Sequence, residues 1–237
     1  MARRGLLGQF LGDVAGLLFP HVCEVCGETL RHGEEVMCMH CLAGLPRTTV
    51  HREPFNTMHE RVAGPVPVER AASYFYYYHG SPYRAIIHQA KYASRPVVAR
   101  RVAAMFAREI LPDGFFDGID LLLPVPLHWR KLVRRGYNQS EAIAEGIADI
   151  VGLPVGDNLV GIRSHGSQTA RGAYARWINT RDVYDVDDPA SLVGRHVLVI
   201  DDVMTTGATI LACIEAIHRA SPTTRISLLT LALARLT

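Results

Sequence analysis

The chain has 237 residues, 49% of them apolar and 20% charged, with a formal net charge of +2. That length suits one large α/β domain, or a medium domain plus a small module, and the apolar content excludes long disorder. The near-neutral balance excludes a global electrostatic pull towards nucleic acid or a membrane, so any such affinity must be a local patch.

Residues 1–20 begin with positive charge and continue into an apolar run that imitates a secretory signal. Gln9 and Asp13 interrupt the run, no small-x-small cleavage site follows it, and it is too short to span a bilayer. Leu6, Leu7, Phe10, Leu11, Val14, Leu17 and Leu18 recur at helical spacing, which predicts an amphipathic helix over 1–20. Residues 21–60 are dense in His, Cys, Gly, Glu and Arg and carry no periodicity, as expected of a small module supported by a metal. Four of the five cysteines fall here. Cys23 with Cys26, and Cys38 with Cys41, form two C-x-x-C knuckles whose thiolates can complete the tetrahedron that structural Zn²⁺ prefers. Such a site has no open coordination position, so it serves folding rather than catalysis. Its clustering points to a reducing compartment, hence the cytoplasm. His21, His32 and His40 read as solvated loop residues beside it.

A larger domain occupies 61–237, and Gly64, Pro65 and Pro67 near its start mark a linker. Its strands are predicted at 71–78, 119–125, 196–200 and 225–233. Helices are predicted at 83–92, 97–111, 140–150 and 207–219. Cys213, inside the last helix, reads as a small buried apolar residue. The alternation predicts a mainly parallel α/β sheet flanked by helices, with ligands at the carboxyl ends of its strands.

The most informative segment runs Val-Leu-Val-Ile-Asp-Asp-Val-Met-Thr-Thr-Gly-Ala-Thr over 197–209. The apolar residues make a buried strand that delivers Asp201 and Asp202 to its carboxyl end. Thr205, Thr206, Gly207, Ala208 and Thr209 follow at once and open a helix, where backbone N–H groups, hydroxyls and the helix dipole favour an anion. Carboxylates beside a phosphate repel it unless they face something else, and a sugar diol is their natural partner, so the pattern describes a ribose 5-phosphate. The chain has no G-x-x-x-x-G-K-[ST], which excludes a P-loop, and no G-x-G-x-x-G after a strand, which argues against a dinucleotide fold.

This 13-residue run resembles the phosphoribosyl pyrophosphate (PRPP) motif of type I phosphoribosyltransferases. Several further features, in the same order along the chain, resemble the competence-associated ComF family. They are the four-cysteine module, Ile87-His88-Gln89-Ala90-Lys91-Tyr92, Pro124-Val125-Pro126 leading to Arg134-Arg135-Gly136-Tyr137-Asn138-Gln139, and Gln168 with Arg176 and Asn179. The chain departs from the family where Ser164-His165-Gly166-Ser167 precedes Gln168, and at Tyr184, where phenylalanine is more usual; both lie in the region expected to hold the acceptor.

The resemblance implies that Asp201 and Asp202 hold the ribose hydroxyls and that Thr205, Thr206, Gly207, Ala208 and Thr209 hold the 5-phosphate. It implies that Lys91 and Tyr92 belong to a pyrophosphate loop, and that Arg134, Arg135, Gly136, Asn138 and Gln139 form a mobile loop closing over the pyrophosphate. Asp201, Asp202, Lys91 and Arg135 would carry catalysis, with Mg²⁺ accompanying PRPP. The expected function is a pentosyltransferase that moves ribose 5-phosphate from PRPP to an unidentified acceptor. The alternative is a non-catalytic PRPP sensor or DNA-uptake accessory, with competence proteins as partners. A third reading puts single-stranded DNA on Arg31, Arg47, Arg52 and Arg61; only Phe55 is at hand there to stack on bases, which argues against direct nucleic-acid binding.

Overall fold

A computed structural model of the chain describes residues 21–92, 95–161 and 183–235. They fall into two compact units that divide between Leu45 and Pro46. The amphipathic helix expected at 1–20 lies outside the described residues.

The first unit is built of tight turns. Val22 and Thr29 form an antiparallel bridge, and Gly27 closes the first knuckle by donating to the Cys23 carbonyl at 2.9 Å from a left-handed conformation, φ +77°. The second knuckle opens a five-residue helix, α1 (Met39–Ala43), capped by Cys38. Between them the Glu34 carboxylate accepts from the N–H groups of Arg31 at 2.6 Å and Met39 at 2.7 Å, which hold it below the usual carboxylate range.

The second unit is a parallel sheet in the order β1-β6-β5-β2. Its strands are β1 (Ala71–Tyr77), β2 (Leu121–Pro124), β5 (His196–Met204) and β6 (Arg225–Ala234). Val197, Leu198, Val199 and Ile200 are wholly buried, as a parallel sheet covered on both faces demands. Two helices, α3 (Arg84–Tyr92) and α4 (Pro96–Ile110), connect β1 to β2. Two more, α5 (Trp129–Arg135) and α6 (Gln139–Val151), follow β2, and α7 (Ala208–Ala220) joins β5 to β6. A small antiparallel ladder pairs β3 (Leu159–Gly161) with β4 (Tyr184–Val186).

Both edges of the sheet are covered, which removes an aggregation hazard. Arg47 bridges Phe75 on the β1 edge, with Thr48 donating to Tyr74 at 2.9 Å and Tyr76 to Pro46 at 2.8 Å. On the β2 edge Leu122 bridges Val155. The first of these coverings explains why the chain divides at Leu45 and not near residue 60, where composition puts the end of the cysteine module: residues 46–48 behave as an added strand of the sheet. A short helix, α2 (Thr57–Arg61), follows them. It opens on a capping box of Asn56 and His59, and the Asn56 amide also donates to the carbonyls of Val50 and Ala71, anchoring α2 to the start of β1.

Three further features differ from the sequence reading. β5 continues to Met204, so the acid pair lies within the strand. The segment expected as a loop, 134–139, is a corner between two helices: Gly136 ends α5 in a left-handed conformation, φ +80°, and Asn138 caps α6 by accepting from Ser140. Asn138 also donates to the Val125 carbonyl at 3.1 Å, and the Tyr137 hydroxyl to the Ala90 carbonyl. The α5 helix itself was not expected.

Candidate ligand site and candidate metal centre

A cavity of about 330 Å³ opens at the carboxyl end of β5, flanked by Tyr77 from the end of β1 and Val125 just past β2. Asp201 and Asp202 form its floor. Asp201 Oδ1 accepts from the Ser140 hydroxyl at 3.1 Å and from the Asp202 N–H at 2.8 Å. Burial, and then repulsion from Asp202, push the Asp201 carboxyl up to about 7. Lys91, near the end of α3, pairs with Asp202 Oδ2 at 2.9 Å.

Beyond the acids the chain turns through Thr205, Thr206 and Gly207 into the N-terminus of α7 and wraps a small hollow that Thr205, Thr206, Gly207, Ala208 and Thr209 line. Gly207 has φ +83°, and a β-carbon there would stand 2.8 Å from the Arg61 carbonyl oxygen. The position therefore needs glycine both for conformation and for space. The Thr206 hydroxyl accepts from the Ala208 N–H at 3.5 Å.

The structure brings most of the expected residues together. Lys91, Arg135, Gln139, Asp201, Asp202, Thr205 and Thr209 all line the cavity at the carboxyl end of β5. Arg134 does not, and Gly136 and Asn138 act as helix caps. Arg135 donates to Gln139 Oε1 at 2.6 Å. Gln139 is 2% exposed, and its amide nitrogen is buried without a hydrogen-bond partner. Tyr92 ends α3. Gln168, Arg176 and Asn179 lie outside the described residues.

Sequence reasoning assigned no role to Ser140, His128 or Lys131, and placed Arg61 only in the DNA reading. Ser140 follows the quoted Asn138-Gln139 directly, so the signal lay one residue beyond the motif. Arg61 donates to the carbonyls of Met204 at 3.2 Å, Thr205 at 2.8 Å and Ala234 at 2.6 Å. Its neighbours in the DNA reading are also engaged within the fold: Arg47 pairs with Glu109 at 2.9 Å and Arg52 with Asp113 at 3.2 Å, while Phe55 stacks on His59.

In the first unit the sulfur atoms of Cys23, Cys26, Cys38 and Cys41 lie within 4.8 Å of one another, and Cys26 and Cys38 stand 3.8 Å apart. Thiolates about 2.3 Å from a tetrahedral ion are separated by nearly that distance. Burial opposes ionisation of Cys23, but N–H groups of Cys26, Cys38 and Val25 outweigh it and draw the thiol down to about 7. Burial and the other thiols push Cys41 well above the usual range. Four such groups cannot all ionise beside one another without a cation, so the set is chemically suited to hold a metal ion.

Comparison with known proteins adds independent findings. Residues 138–235 match the model of the phosphoribosyl transferase domain. The chain is 28% identical over 193 residues to DNA utilization protein YhgH of Escherichia coli K12, spanning 80% of each chain. It is 31% identical over 94 residues to competence protein F of Haemophilus influenzae, spanning 38% of this chain and 41% of that one. Among solved structures it is similar to the glutamine PRPP amidotransferase from B. subtilis, with a TM-score of 0.43 and 20% identity, covering 60% of this chain and 30% of that chain. The similarity to YhgH therefore extends over most of the chain and the match to the phosphoribosyl transferase domain over residues 138–235, and the fold is a parallel sheet flanked by helices, with a cysteine cluster at the N-terminal end. Among the described residues no helix is long and apolar enough to cross a membrane.

Proposed function

We propose, on the premise that residues 138–235 form a phosphoribosyl transferase domain in a chain related to YhgH and competence protein F, that this protein binds PRPP and transfers its ribose 5-phosphate to an acceptor. The observation that carries the reading is the acid pair near the carboxyl end of β5, followed two residues later by the turn through Gly207 at the N-terminus of α7.

In this reading the turn holds the 5-phosphate and Asp201 and Asp202 hold the diol. Lys91, which pairs with Asp202, meets the charge of the pyrophosphate together with Arg135. The C1–oxygen bond to pyrophosphate breaks with its electron pair leaving on the pyrophosphate. An acceptor lone pair forms the new bond and the acceptor gives up a proton. The protein's contribution is positioning and stabilisation of departing negative charge. The carboxylate oxygens of Asp201 and Asp202 suit Mg²⁺, which when bound with PRPP would offset the charge of the leaving group. Zinc in the Cys23, Cys26, Cys38 and Cys41 cluster would be structural, and the free thiols suit a reducing, cytoplasmic setting.

The names of the relatives support a second reading, in which the same site senses PRPP for a DNA-uptake role without turnover. A thermal melt with Mg²⁺ and PRPP tests what the two readings share. At about 100 times the dissociation constant the ligand adds roughly 2.7 kcal/mol, a rise of roughly 5–10 °C for a domain this size. The Asp201→Asn/Asp202→Asn protein is expected to lose that rise, and no rise in the wild type would overturn both. Release of pyrophosphate during a screen of acceptors separates the enzyme from the sensor.

A further inference from the structure

We infer that Arg61 is a positioning residue that aims the backbone of the phosphate-binding turn without touching the ligand. The inference deepens the PRPP reading, on which it rests for the identity of the ligand but not for the geometry of the turn.

Arg61 is the last residue of α2, a helix held to the start of β1 by Asn56. Its guanidinium lies where β5 and β6 end side by side, Met204 being in register with Leu233. One nitrogen donates to the carbonyls of Met204 and Thr205 and the other to Ala234. A planar fork of donors can span carbonyls on two adjacent strands, whereas a lysine ammonium, a point donor on a flexible stem, cannot do so with the same geometry.

The consequence follows from the planarity of the peptide. In a trans peptide the C=O and the next residue's N–H point in opposite directions. Fixing the Met204 and Thr205 carbonyls towards Arg61 therefore turns the N–H groups of Thr205 and Thr206 away from α2. Among the described residues no internal acceptor takes the Thr206 N–H, while the Thr205 N–H faces the Leu233 carbonyl across the β5–β6 ladder. The Thr206 N–H is left for the hollow at the N-terminus of α7, where an anion is favoured. The backbone of the same residue limits the other side of the turn, since the Arg61 carbonyl oxygen occupies the space a side chain at Gly207 would need. One residue thus sets the orientation of two peptide planes and the closeness of the third.

The test compares wild type, Arg61→Lys and Arg61→Met by calorimetric titration with ribose 5-phosphate and by ¹⁵N relaxation. Arg61→Met is expected to weaken binding about 10- to 100-fold, the range for losing hydrogen bonds to a charged group, with Arg61→Lys falling between it and wild type. The order parameters of Thr205 and Thr206 should drop from about 0.85 towards 0.6, while those of residues 197–200 stay unchanged. Undiminished affinity or an unchanged turn in Arg61→Met would overturn the inference. So would a uniform loosening of the whole sheet, which would make Arg61 merely structural. Failure of wild type to bind ribose 5-phosphate or PRPP would instead sink the phosphoribosyl reading, and the relaxation data would still decide what Arg61 does to the turn.

Discussion

Asp201 shows how the site works against the fold that carries it. A carboxyl that follows the apolar run of a buried strand, one residue from a second carboxyl, is pushed up to about 7 by burial and by Asp202, from an ordinary value of 3.8 in the unfolded chain. Between those two values the folded state holds more protons than the unfolded one, so the stability of the ligand-free protein falls as pH rises through that window and levels off above it. Asp201→Asn removes the titration. Its melting temperature is expected to match wild type near pH 4 and to exceed it progressively up to pH 8, by roughly 2–4 °C for each kcal/mol relieved. A difference that stays constant with pH would mean that Asp201 is ionised at no cost. The same substitution should abolish the PRPP-dependent shift, so stability and binding move in opposite directions.

At the scale of elements, the helices and strands with clean periodicity were legible in advance, and those defined by a few polar contacts were not. The apolar run at 197–200 and the 3.6-residue pattern of α6 and α7 declare themselves because burial dictates them. The α2 helix is five residues long and exists because Asn56 and His59 cap it; α5 leaves Val133 exposed and carries too little apolar pattern to be read. The corner at 134–139 looked like a loop because Gly136 and Asn138 are loop residues by composition, yet in this chain they are caps. For the same reason the acid pair and the Gly207 turn were legible, while Arg61, 140 or more residues away in sequence from the carbonyls it holds, could not be.

A close helix approach is also invisible in sequence: a β-carbon at Gly146 in α6 would stand 2.1 Å from the Arg100 carbonyl oxygen of α4. The contact is reinforced by Arg100, which pairs with Asp149 at 2.7 Å and with Glu145 at 3.1 Å. Gly146→Ala gains about 1 kcal/mol of helix propensity but overpacks the interface at a cost of about 1–3 kcal/mol. The overpacking is expected to win, lowering the urea midpoint. A raised midpoint would mean that α4 and α6 do not approach this closely.

At the scale of the whole chain, the two units are stabilised by different means. The second has a core drawn from every strand of its main sheet and from the helices around it. In the first, the buried apolar residues among those described are Val36, Met37 and Leu45 with three of the cysteines, too little for residues 21–45 to hold their structure on their own apolar burial alone. Its structure should therefore depend on the metal. Cys38 makes a discriminating target, since it is a cluster sulfur and also the cap of α1; serine is a good cap but a poor ligand for zinc, so Cys38→Ser isolates the loss of ligation. The wild type is expected to carry one zinc per chain, and Cys38→Ser or chelation to remove it. Hydrogen exchange should then become fast across residues 21–45, while β5 and β6 keep their protection and the PRPP-dependent melt shift survives. Full protection of 21–45 without metal would show that the cysteines hold the unit together by packing alone. Loss of protection in β5 would show that the larger unit draws its stability from the metal as well.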